Sequence, residues 1–463
     1  NDAGGVGADL LFEGGTVFKK NILSVPGGGA PFRMIGCEVQ GHISGSGSPL
    51  APVLPSAPFT GPLFFENVTF NPAINQIVRS SCENLELNSA VFKGSGHTTV
   101  ILEDSRPGNP RMILKGSIVG QQSNRPILEL ISNTPGGSSR FDFRSNLRLH
   151  FLELRPEVRT PTPLVTGNTV TGMVWDDVFV NILDPLLINL GNAATFNSPG
   201  AIYNDLLVKG FVAVDARTGE GQNAIFNGGH FNTGAGTMTP AANFTELRGS
   251  SGVNTGLRFN GTRFQGSVDV PVANPVRDVW FNGARFDADQ DSVTAVAGNT
   301  FGAQFGSSKF IGGTQFRNHV RFNNANLEVN YVKFINAISP SQLMGVNVDA
   351  PNHNLRDLRF TPQNQNMEFW ANANNIMVTD ITVLGTTNTM QFLVLPTAVL
   401  PANVLKVEGD IKNRRDIDFP VQQPQVGLPQ VGIIEASTGN TVFAVGNLNV
   451  GGNPWPTNVV PIP

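Results

Sequence analysis

The sequence predicts an all-β chain: a right-handed, single-stranded parallel β-helix closed by a β-rich C-terminal cap. Three observations carry this expectation. First, pairs of apolar residues five positions apart recur along the chain. The clearest are Phe259/Phe264 and Phe281/Phe286, followed by Phe305/Phe310, Val329/Phe334, Leu355/Phe360 and Val378/Val383. From Phe264 the second member returns after 22, 24, 24, 26 and 23 residues. A repeat of that length marks a solenoid, whose units cannot bury their apolar side alone and therefore stack. Second, the residue two after the first member is a turn former: Asn67, Ser89, Gly116, Asp176, Gly228, Gly261, Gly283, Ser307, Asp357 or Asp380. Those types tolerate the backbone of a sharp bend. Third, helical periodicity is nearly absent, and short alternating runs are broken by Gly, Asn, Asp and Pro.

Taken in chain order, residues 1–62 read as an N-terminal cap followed by a Pro-rich crossing from Pro49 to Pro62. Residues 63–395 read as the coil. Its earlier pairs are Phe65/Phe70, Leu87/Phe92, Leu114/Val119, Leu147/Leu152, Val174/Phe179, Leu206/Phe211 and Phe226/Phe231. With the six later pairs these make thirteen rungs, or roughly 60 Å at about 4.8 Å per strand. Asn88, Asn227, Asn260, Asn282 and Asn330 precede the turn residue and can form a side-chain ladder. A β-propeller needs a longer unit, about 40–50 residues. Longer gaps after Val119, Leu152, Phe179 and Phe231 predict inserted loops. From residue 396 to 463 prolines interrupt the pattern, and strand-like runs survive at Val404–Val407, Val431–Glu435 and Thr441–Val445. A bare coil end would expose strand edges and core, so this segment reads as a cap or subunit-joining module.

The 463 residues exceed one compact core, and a net charge of −4 argues against nucleic-acid binding by bulk electrostatics. Phenylalanine dominates the aromatics, with 32 Phe against 2 Tyr and 4 Trp, which suits a dry stacked interior. Cys37 and Cys82 are two rungs apart in this register, too far for a disulfide, and read as buried free thiols. No apolar run is long enough to predict a membrane span. The first residues, Asn1-Asp2-Ala3-Gly4-Gly5, read as the product of processing or trimming.

Phe12-Glu13-Gly14-Gly15-Thr16-Val17-Phe18, then Ile22-Leu23-Ser24-Val25-Pro26, then Phe32-Arg33-Met34-Ile35-Gly36 carry a family resemblance. The succession resembles the opening of pectate-lyase-like right-handed β-helices, common in phage tailspikes. It covers about thirty residues plus the general rung pattern. The resemblance implies a superfamily, and a side-by-side homotrimer by likeness to tailspikes.

The candidate chemistry is sparse. The residue before the second apolar position is Arg263, Arg285, Lys309, Lys333 and Arg359 in five consecutive pairs. Strand alternation turns it outward, so the column reads as a track for an anionic glycan or as a solvated, carboxylate-paired face. Asp287, Asp289 and Asp291 alternate after one pair. They suit a hard cation such as Ca²⁺, a glycosidic carboxylate pair, or simply an acidic turn. Asp176-Asp177 and Gly228-Gly229-His230 are distantly similar to motifs of polygalacturonases. Phe231 replaces the third Gly of that motif and no Arg-Ile-Lys follows, so pectin hydrolysis is not implied. Glu153 and Glu157 form another acid pair. Trp175, Trp280, Trp370 and Trp455 are candidate sugar platforms, with Trp280 outward beside Phe281. Asn67, Asn243 and Asn260 match glycosylation acceptors.

Three functional classes follow. The first is a virion spike attaching to a host surface polysaccharide, with or without cleaving it, joined to an adjacent virion or tail protein. The second is a secreted cellular lyase or hydrolase, and the third a purely structural spike. The scarcity of Tyr and Trp and the lack of a clear carboxylate constellation favour attachment, at the virion surface or outside the cell.

Overall fold

The computed structural model describes residues 10–24, 31–45, 59, 61–104, 110–121, 125–132, 140–158, 170–181, 194–210, 212–232, 244–287, 299–317, 320–336, 345–362, 367–373, 375–384, 390–394, 403–413, 417–418, 432–438 and 441–446. Phe211, Asn243, Asp289, Asp291, Trp455 and most of the Pro49–Pro62 stretch lie outside them.

The described residues form a parallel β-solenoid, and the chain divides into two units, Asn1–Asn243 and Phe244–Pro463. In the first unit, Leu10–Glu13, Phe32–Ile35, Leu63–Glu66, Asn84–Asn88, Arg111–Lys115 and Arg140–Phe143 stack as one six-stranded parallel sheet. The predicted cap strands are therefore already rungs of the solenoid. Around the next corners run further parallel ladders, such as Gln76–Ser80 on Thr98–Asp104 on Ile127–Ser132. In the second unit, Arg258–Asn260, Trp280–Asn282 and Lys309–Ile311 stack, and the chain returns through Asn299–Phe301, Val320–Phe322, Gly345–Val348 and Met367–Ala371. Among the described residues the only helical element is one 3₁₀ turn, Ala303–Phe305.

One bend explains the apolar pairs. Along Phe259–Gln265 the side chains run inward at Phe259, Thr262 and Phe264 and outward at Asn260, Arg263 and Gln265. Gly261, at φ 69°, makes the corner. The same corner is made by Phe151, Asp177, Asp205 and Gly228 in the first unit and by Gly283, Gly312, Tyr331, Asp357 and Asp380 in the second, all at positive φ. Only glycine, and to a lesser degree Asn and Asp, enters that region without a steric cost.

Behind the bend the phenylalanines form two ladders. Phe259, Phe281 and Phe310 stack at 5.4 and 5.0 Å. Phe264, Phe286, Phe316, Phe334 and Phe360 stack at 5.1, 4.8, 5.8 and 5.1 Å. Each buried ring contributes about 1.5–3 kcal/mol by desolvation, and each stacked pair about 0.5–1.5 kcal/mol more. This accounts for the excess of Phe over Tyr and Trp. Cys37 and Cys82 are free and buried, as expected.

The register corrects several pairs. Phe310 stands over Phe281, so it belongs to the first ladder, and its partner across the bend is Phe316. The even spacing through Phe286, Phe310 and Phe334 was fortuitous: the second ladder runs Phe286, Phe316, Phe334, at intervals of 30 and 18 residues. The extra residue is a bulge, Gly312-Gly313, facing the single Tyr331. Val174/Phe179 is one position out, because the inward residues are Trp175 and Val180 and the bend is at Asp177. The Phe65/Phe70, Leu87/Phe92 and Leu114/Val119 pairs span a different corner, between two sheets, whose bend residues are Asn67, Ser89 and Gly116. Past residue 395 the apolar pattern fades but the ladder does not: Asn403–Asn413 pairs in parallel with Ile376–Val383, and Gly432–Thr438 with Asn403–Asn413. An antiparallel strand, Thr441–Gly446, then lies against Gly432–Thr438.

Candidate functional site

The outward face beside the bend of the second unit holds most of the predicted cations. Arg263, Arg285, Gln315, Lys333 and Arg359 stand one above another. Lys309 is not in this column. It pairs with Trp280 on the other side of the bend, because the bulge at Gly312-Gly313 displaces the register. The next outward column runs through Gln265 and Asp287, with Arg317 following Phe316.

Asp287 is the centre of a four-residue cluster. Arg263 Nε donates to its Oδ2 at 2.6 Å and Arg285 Nε to its Oδ1 at 2.8 Å, while Arg317 Nε lies 3.3 Å from Oδ1. The Asp287 side chain is only 12% exposed. Its oxygens are taken by guanidinium groups, so the cluster carries a net positive charge and offers a cation little. Asp289 and Asp291, predicted beside it as cation ligands or catalytic acids, lie outside the described residues. No group of three or more His, Cys, Asp or Glu among the described residues is arranged to hold a metal.

Trp280 faces outward as predicted, but two cations stack on it. The Arg258 guanidinium lies 4.2 Å and the Lys309 ammonium 5.0 Å from its ring centroid, from the rungs before and after. Its indole N–H donates to Asp278 Oδ1 at 2.6 Å, and Lys309 pairs with Glu328 at 2.7 Å. The ring is thus a structural spacer between charges. Trp175 is buried in the core and Trp370 half-buried on the returning sheet.

In the first unit, Asp176 and Asp177 fall on either side of the surface. Asp177 makes the bend and forms an ion pair with Arg125. Asp176 accepts from Asn204 Nδ2, Asn204 Oδ1 accepts from Asn227 Nδ2 at 2.9 Å, and His150 Nδ1 lies 3.9 Å from Asp176. This is a rung-to-rung ladder of the kind the Asn column predicted. His230 does not join it. It is aligned with Leu207 and Phe179, in the column on the far side of the bend. Glu153 accepts from Arg155 Nε at 2.8 Å and Asn181 Nδ2 at 3.0 Å. Nothing is described of the Glu157 side chain.

Sequence reasoning missed Arg317, Gln315, Tyr331 and Arg258. The double glycine at 312–313 was the available signal, since a second consecutive glycine at a bend marks an inserted residue. The chain matches no protein-family model, no curated protein and no solved structure.

Proposed function

We propose that the protein is an attachment protein that binds an acidic cell-surface polysaccharide along the basic columns of its second unit. The observation that carries this reading is an excess of cations. Arg263, Arg285, Arg317, Lys333 and Arg359 line successive rungs, against Asp287 in the columns and Asp357 at the bend, in a chain of net charge −4. Charges repeated at strand spacing, about 4.8 Å, suit a linear polyanion better than a compact ligand. The described carboxylates at the predicted catalytic positions are occupied by arginine or asparagine partners, which favours binding over cleavage. Placement on a virion spike, as a homotrimer joined to an adjacent tail protein, rests on the resemblance of the first strands to tailspikes.

Affinity electrophoresis through gels containing alginate, dextran sulfate or neutral dextran tests the binding. Retention by a polyanion that weakens with salt, with no oligosaccharide released, is the expected result. Equal retention by neutral dextran, or none by either polyanion, overturns the reading. Sedimentation of a stable monomer would overturn the trimer.

A further inference from the structure

One rung of the basic face differs from the others in backbone as well as charge. At the bend, eight of the described coils place Gly or Asp: Asp177, Asp205, Gly228, Gly261, Gly283, Gly312, Asp357 and Asp380. Tyr331 occupies the same left-handed position at φ 54°. A bulky aromatic there costs on the order of 1–3 kcal/mol, and such strain is found where it serves a site. The rung before it carries the bulge, with Gly312 and Gly313 opposite Tyr331. Two adjacent departures from a repeating backbone coincide.

The surroundings of the ring are those of a recognition site. The Arg359 guanidinium lies 4.4 Å and the Lys333 ammonium 5.7 Å from its centroid. Towards the preceding rung there is only Gly313, where a Cβ would begin 3.4 Å from Tyr331 Cε1 and 3.6 Å from Lys333 Nζ. The Tyr331 hydroxyl, the Lys333 ammonium and the Gln315 amide have no hydrogen-bond or ion-pair partner among the described residues. The neighbouring cluster is the opposite case, since Asp287 already fills its three guanidinium groups.

We infer that the Tyr331 corner is a subsite for one carboxylated pyranose of the polymer. The inference rests on the reading above and names its ligand chemistry. A uronic-acid ring offers an apolar C–H face to the tyrosine and a carboxylate to Lys333 and Arg359, and its hydroxyls suit the Gln315 amide and the tyrosine hydroxyl. Planar carboxylate, rather than sulfate, is the anion this face is already built to hold at Asp287.

The chain has two tyrosines, and Tyr203 is fully buried, so ring-labelled tyrosine NMR gives one signal for the corner and one internal control. The Tyr331→Gly variant assigns the signal by its loss. Sodium glucuronate is expected to shift the Tyr331 signal and leave Tyr203 unmoved, with glucose at least about tenfold weaker. Equal shifts with glucose or with sodium sulfate, or no shift with glucuronate, overturn the assignment. In alginate gels, Tyr331→Gly and Lys333→Ala are each expected to lose about tenfold in retention, while Tyr331→Gly melts no lower than wild type. Unchanged retention by Tyr331→Gly overturns the subsite and leaves the basic-face reading standing. Absence of wild-type retention overturns both, and a lowered melting temperature of Tyr331→Gly makes the ring a packing residue.

Discussion

The same outward position, two residues past the bend, is filled differently in the two units. In the first it is Glu153, Phe179, Leu207 and His230. In the second it is Arg263, Arg285, Gln315, Lys333 and Arg359. The position after it points inward in both, and there the two units agree: Leu154, Val180, Val208 and Phe231 against Phe264, Phe286, Phe316, Phe334 and Phe360, all buried. Stacking constrains the inward column to apolar residues, because each one must pack on the rungs above and below. Solvent imposes no such demand on the outward column, so that is where a solenoid can acquire a binding face without altering its fold.

The largest expected effect breaks the agreement inside. Phe286→Ala removes a ring stacked on both sides and is expected to cost about 3–5 kcal/mol in urea unfolding. Val208→Ala, at the matching inward position of the first unit, is expected to cost about half as much, since fewer methyl groups leave the core. Equal losses would mean that the phenylalanine ladder adds nothing beyond its area.

Next, Asp287→Ala leaves three guanidinium groups without their shared anion. A loss of about 2 kcal/mol is expected, recovered in part by added sulfate, which can take the vacated place. Glu153→Ala in the first unit leaves only Arg155 and Asn181 without an acceptor, and sulfate should not rescue it. A sulfate effect of the same size on both variants would show a general salt response.

A smaller effect concerns pH. His353 is buried in the second unit, its Nε2 donating to Leu327 O at 3.1 Å and its Nδ1 unpartnered. Burial pushes its pKa below the ordinary value of 6.5. The unfolded chain therefore takes up this proton more readily than the folded one. The contribution to stability is full above about pH 6.5 and is lost as the pH falls toward the depressed value, with a slope of at most about 1.4 kcal/mol per pH unit. His353→Leu should flatten the melting temperature between pH 6.5 and 5 relative to wild type; an unchanged slope would place the acid sensitivity elsewhere.

The smallest effect has the opposite sign. Tyr331→Gly is expected to raise stability by about 1 kcal/mol, because glycine enters the left-handed region freely. Asp357→Gly, at the next rung, should raise it less, since aspartate tolerates that region better than tyrosine. Calorimetry on the two variants would order them.

The sequence by itself determined the solenoid class, the inward-facing character of most apolar pair members and the chemistry of the bends. Those features are local and repeated: a strand alternates side chains by geometry, and a corner selects Gly, Asp or Asn wherever it occurs. It also placed Trp280 outward and saw most of the basic column. Only the tertiary structure decided the register, that is, which residue of one rung lies over which residue of the next. Lys309 was assigned to the wrong column because one inserted residue at Gly312-Gly313 shifts every later alignment, while Phe310 still lands in a buried position and hides the shift. The partnership of Arg263 with Asp287 and the facing of Tyr331 by Gly313 were likewise beyond reach, since neither has a local signature. Side-chain contacts between rungs depend on loop lengths that can change without altering the period inside, and that is why the core was legible and the face was not.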